Sequence, residues 1–171
     1  MPFTSDRIHL RQHDQSFAVD KNTCRDKKFL MRILFGFIAG FVATLIFHQL
    51  FLALLWWAGV APFGPFSMTA TQPLGIPAVI SLAFWGGVWG ILFGLIHNRF
   101  PRGGGYWLSA FLFGAILPTL VAFLVVAPLK GRPIGGGWQP APLVTAFLIN
   151  GVWAIGTGLI LKALSGWRTG A

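Results

Sequence analysis

Three observations predict an all-α integral membrane protein built as a four-helix bundle. Of 171 residues, 55% are hydrophobic and only 10% charged, against about 25% charged in soluble domains. Four apolar runs reach the ~20 residues needed to cross about 30 Å of hydrocarbon. All four carboxylates, Asp6, Asp14, Asp20 and Asp26, lie before the first of these runs, and none follows.

In chain order, residues 1–30 read as a polar tail of mixed charge. It forms a short interfacial helix through Ile8, Leu10, Phe17 and Val19, or no regular structure. The first span covers about 31–59. The connection "VAPFGPFSMTATQPLGIP" carries Pro62, Pro65, Pro73 and Pro77, which exclude a regular helix. The second span covers about 79–96, and the link "HNRFPRGGGY" suits a tight helical hairpin. The third covers about 107–127. The loop "APLKGRPIGGGWQPAP" leads to the fourth at about 143–164, and residues 165–171 form a second tail. The first apolar run exceeds the 7–15 residues typical of a signal-peptide core, so it is expected to remain as a span.

Eleven of the thirteen basic residues fall on the tails, the start of the first span, the end of the fourth and the 97–106 link. Lys130 and Arg132 are the two exceptions. This bias orients both termini to the cytoplasm. It also accounts for the +9 net charge without a nucleic-acid footprint, so nucleic acid is not an expected partner. With Cys24 as the sole cysteine, an internal disulfide is excluded, and so is a cluster ligated by several cysteines.

Short matches recur in order. "VAP" stands at Val60 and Val126, "QP" at Gln72 and Gln139, and "GVW" at Gly87 and Gly151. Gly40-Phe41 and Gly105-Tyr106 lie upstream of the first match. The pattern predicts a duplicated helical hairpin, residues 33–98 matching 105–164, related by a pseudo-two-fold along the membrane normal.

Gly36, Gly40, Gly86, Gly90 and Gly94 repeat at four-residue spacing on their helices. Such stripes let backbones approach closely, so these glycines are expected to pack helices together. The alternative is a narrow path for a small solute. In the later spans the small residues are Ala110, Gly114, Ala154 and Gly158. Trp89 and Trp153 lie deep enough that each indole N–H should seek an acceptor.

The polar candidates within the spans are His48, Gln49 and Asn150. On a straight helix His48 and Asn150 each sit roughly 4.5 Å outward of the span centre. A His48–Asn150 hydrogen bond with Gln49 nearby is therefore expected. It acts either as interhelical glue or as a functional site. His97 lies about 20 Å from His48 in depth, so the two cannot ligate one haem. His9 and His13 with Asp6 offer only a weak tail metal set. No metal, cofactor or catalytic group is assigned, and enzymatic activity is not expected.

The stretches "GIPAVISLAFWGGVWGILFGLI" and "PLKGRPIGGGWQP" resemble a group of uncharacterised small four-span inner-membrane proteins of proteobacteria. The resemblance covers residues 31–164 and implies a bacterial inner-membrane location, with no activity and no site residue to carry over. Partners are then the lipid bilayer and either a second copy or a larger membrane complex. The expected role is non-catalytic association. The alternative is a channel or transporter for a small neutral or anionic solute.

Overall fold

In hydrocarbon a backbone must satisfy its own N–H and C=O groups, so an isolated apolar run of membrane length folds as a helix. A computed structural model describes the backbone of residues 5–167 and the side chains of Thr23 and residues 25–164. About 79% of it is helical. Four helices are long and apolar enough to cross a membrane: Arg25–Trp57, Ala78–Arg99, Gly104–Leu129 and Pro140–Leu164. The chain is thus an all-α, multi-pass membrane protein.

Helix α1 (Ser5–Ala43) runs through a π-helical segment (Thr44–His48) into α2 (Gln49–Trp57). A minimal strand pair, β1 (Ala70–Thr71) and β2 (Ile76–Pro77), sits in the first connection, ahead of α3 (Ala78–Ile96). After a tight turn, α4 (Gly104–Val121) continues through a second π segment (Ala122–Val126) into α5 (Ala127–Leu129). Helix α6 (Pro140–Trp167) closes the fold. The polar segment before the first span is continuous with its helix, because α1 begins at Ser5. The side chains of Asp6, His9, His13 and Cys24 lie outside those described.

Both π segments have local causes. The Gly40 carbonyl accepts the Thr44 hydroxyl at 2.9 Å and the Trp153 indole N–H at 2.9 Å. Side chains inserted into the i→i−4 ladder loosen it, and Thr44 is where the π segment starts. In the third span Pro118 and Pro128 flank the widened turn, and each removes one helix donor.

Spans one and two meet through glycine. A Cβ on Gly40 would stand 2.8 Å from the Cα of Gly90, and one on Gly36 would stand 2.6 Å from the Gly90 carbonyl oxygen. A Cβ on Gly94 would stand 3.2 Å from the Cα of Gly36, and one on Gly86 would collide with the Thr44 hydroxyl. All five predicted packing glycines therefore share one seam inside a hairpin. In spans three and four a Cβ on Gly114 would run into the Asn150 carbonyl and Ala154.

These seams repeat, but in a corrected register. Gly87 faces the Phe37 ring as Gly151 faces Phe111, and Gly40 meets Gly86 and Gly90 as Gly114 meets Asn150 and Ala154. The returning helices match as the shared Gly-Val-Trp indicated. The outgoing helices pair Gly40 with Gly114 and not with Gly105. The "VAP" match is not structural either. Val60 follows α2 in a loop, whereas Val126 lies within the helix of the third span. Three-letter identities recur easily in a chain this rich in Ala, Val and Pro, whereas close backbone approach admits only small residues.

The two hairpins join unequally. Span one packs closely on span four, while the backbones of spans two and three hardly approach. In the structural register Ala39 corresponds to Phe113 and Thr157 to Phe93, and all four are buried. The first junction closes through the Phe47 ring on Gly156 and the Trp153 indole N–H on the Gly40 carbonyl, with the small Ala39 and Thr157 buried on the same helices. Phe93 and Phe113, with ring centroids 5.4 Å apart, and Trp89, 6.4 Å from Phe113, fill the second.

Candidate functional site

The first π segment positions the polar candidates. An α-helical turn sets successive side chains about 100° apart, which tends to bury one and expose the next. The wider turn lets the Gln49 N–H reach back to the Thr44 carbonyl, and Thr44, His48 and Gln49 are all buried. π-Bulges are frequent at functional sites.

Gln49 carries the most informative bond. Its Oε1 accepts the backbone N–H of Phe66 at 2.7 Å, and its Nε2 lies 3.4 Å from His48 Nδ1. A buried side chain of the first span thus fastens the first connection. That connection is held at further points. Ala61 packs with Leu52 and Ile149. The Val79 N–H donates to the Ser67 carbonyl at 3.0 Å and the Ala78 N–H to the Thr69 carbonyl at 2.9 Å. The Thr71 hydroxyl donates to the Ile76 carbonyl at 2.8 Å.

The expected His48–Asn150 bond is not formed. Asn150 Nδ2 donates to the Thr119 hydroxyl at 2.9 Å, and that hydroxyl lies 3.4 Å from the Ala146 carbonyl. His48 turns to Gln49 instead. Equal depth fixes height but not azimuth, and the π segment rotates His48 relative to a straight helix. A double-mutant cycle checks this in detergent-unfolding measurements. Asn150→Ala with Thr119→Ala is expected to show a coupling of about 0.6 kcal/mol. Asn150→Ala with His48→Ala is expected to be additive within about 0.3 kcal/mol.

Sequence reading missed Thr119 and Phe66. Thr119 follows Pro118 and is one of few hydroxyls in the third span, a detectable signal. Phe66 bonds through its backbone, so its identity gives none.

The first and third connections also present an aromatic residue each in the left-handed region. Phe66 has φ 51° and Trp138 has φ 57°, and they are 46% and 65% exposed. Bulky residues rarely adopt this conformation, which costs of order 1–3 kcal/mol each. Trp138 is admitted by the run Gly135–Gly137, whose φ values are 67°, 61° and 71°. A Cβ on Gly135 would lie 2.6 Å from the Trp138 ring.

Comparison with protein-family models, with curated proteins and with solved structures returns no match.

Proposed function

We propose that this chain is a non-catalytic integral membrane protein that works by association with another membrane-embedded chain, a second copy of itself or a larger complex. The glycine stripes are taken up within the hairpins, so the docking surface lies elsewhere. The observation that carries the reading is the ordered outer cap. Phe66 and Trp138 stand exposed in costly conformations, and the first connection between residues 58 and 77 contains no charge. Phe63, Met68 and Leu74 of the same connection are exposed as well. Ordered apolar area beyond the span ends is characteristic of interaction sites. The positive-inside bias supports a bacterial inner-membrane setting, with both termini and the 97–104 turn in the cytoplasm.

The test is purification in mild detergent, with the oligomeric mass and bound chains recorded. Wild type is expected to carry a second copy or a stoichiometric partner. Phe66→Ser combined with Trp138→Ser is expected to release it with an unchanged thermal midpoint. Gln49→Leu, which leaves the cap sequence intact but unfastens it, is expected to weaken retention about tenfold by freeing the Phe66 N–H, a loss of roughly 1–3 kcal/mol. A wild-type monomer with nothing bound, or variants that keep the partner, would overturn the reading. A monomer would direct attention to the alternative, passage of a small neutral or anionic solute, for which exposed Lys130 and Arg132 offer an outer anion-attracting rim. Liposome flux measures that directly.

A further inference from the structure

At the end of the bundle opposite the cap, all four spans converge on one basic and aromatic cluster. The Lys162 ammonium of the fourth span stands 3.7 Å from the centroid of the Tyr106 ring and 4.3 Å from that of Trp107, both at the start of the third. The Tyr106 hydroxyl and His97 Nδ1, at the end of the second span, are 3.3 Å apart. His97 stacks on Phe93 with centroids 6.0 Å apart and planes 9° apart. Arg32 of the first span joins them, its backbone packed against Gly94, less than one helical turn before His97.

Two glycines make this convergence possible. A Cβ on Gly94 would stand 3.2 Å from the Arg32 carbonyl oxygen, and one on Gly158 would stand 3.0 Å from the Tyr106 hydroxyl. The outcome is two cations and two hydrogen-bonding groups brought together by packing.

Among the described residues no carboxylate pairs with either cation of this cluster. The sequence has no Asp or Glu side chain after Asp26. Cation–π contact with the faces of two rings orients Lys162, and its ammonium, which carries three donors, meets no hydrogen-bond acceptor among the described residues. The guanidinium of Arg32 is exposed, and its planar fork matches phosphate oxygens. Basic pockets between spans at a membrane surface suit phosphate headgroups. We infer that this end of the bundle binds a phosphate-bearing anion, with Lys162 and Arg32 as its cationic contacts and His97 and Tyr106 as its hydrogen-bonding groups. The chemistry is shared by a phospholipid headgroup and by free phosphate, and it is independent of the cap's role.

The full-length protein in neutral phosphatidylcholine nanodiscs separates the two sources. Its thermal midpoint is followed as phosphatidylglycerol replaces neutral lipid, and separately as inorganic phosphate replaces chloride at constant ionic strength. A rise with phosphatidylglycerol alone identifies a lipid headgroup. A rise with phosphate in neutral lipid identifies the free ion. Arg32→Gln and Lys162→Gln are each expected to weaken the response about fivefold, and Tyr106→Phe by less. Arg132→Gln, an equal charge change at the other end, should respond as wild type. Because Arg32 is exposed, Arg32→Gln should match the wild-type midpoint in neutral lipid, whereas Lys162→Gln gives up its contact with two rings and its response is read from its own neutral-lipid midpoint. If Lys162→Gln fails to fold, Arg32→Gln decides alone. No rise in either arm, full retention in Arg32→Gln, or an equal loss in Arg132→Gln would overturn the site.

Discussion

Gly90→Val is expected to abolish recovery of folded protein. A Cβ at this position would stand 2.8 Å from the Cα and 3.0 Å from the backbone nitrogen of Gly40, and it would collide with the Gly36 carbonyl. A clash with a flexible side chain can be relieved by a rotamer change. A clash with backbone requires one helix to move away, which opens every other contact along the seam. The cost should reach at least the upper end of the overpacking range, about 3 kcal/mol. Size-exclusion profile and thermal midpoint in one mild detergent measure it. Gly104→Ala is the control, since nothing lies within 4 Å of its added methyl. It should leave both readouts near wild type. A monodisperse Gly90→Val protein with a wild-type midpoint would show that the first hairpin is not held by this approach.

Trp153→Ala should be the second large loss, about 3–5 kcal/mol for an aromatic truncated in a core. Trp153 is 3% exposed and also donates its indole N–H across the hairpin junction to Gly40. Trp153→Phe keeps most of the ring and removes only that bond, so about 1 kcal/mol is expected. The corresponding residue in the first hairpin, Trp89, is only partly buried and meets Phe113 at the edge. Trp89→Ala should cost less than about 2 kcal/mol. Denaturant unfolding of the three variants side by side ranks them. Equal losses at 89 and 153 would contradict the inequality of the two junctions.

The four spans and the returning helices of both hairpins were legible in the sequence because each rests on a one-dimensional signal. Apolar length gives the span, and the Gly-Val-Trp triplet gives the repeat. The glycine stripes were equally readable, since four-residue spacing places them on one helix face whatever the partner. The outgoing-helix register was not readable, because Gly40 and Gly105 match as letters while Gly40 and Gly114 match as contacts. The polar pairing failed for a different reason. His48 and Asn150 were compared by height, and a π segment alters rotation without announcing itself in composition. Nor could spacing bring Arg32, His97, Tyr106 and Lys162 together, since each lies at the end of a different span.

The exchange of Ala39 for Phe113 and of Thr157 for Phe93 bears on symmetry. A bundle of two equal hairpins would offer each lipid-facing groove twice, and a neighbour fitting one copy would fit the other. Here the close junction of spans one and four has no twin in the aromatic-filled gap between spans two and three. The chain therefore presents different faces on its two sides, and a neighbour that fits one does not fit the other.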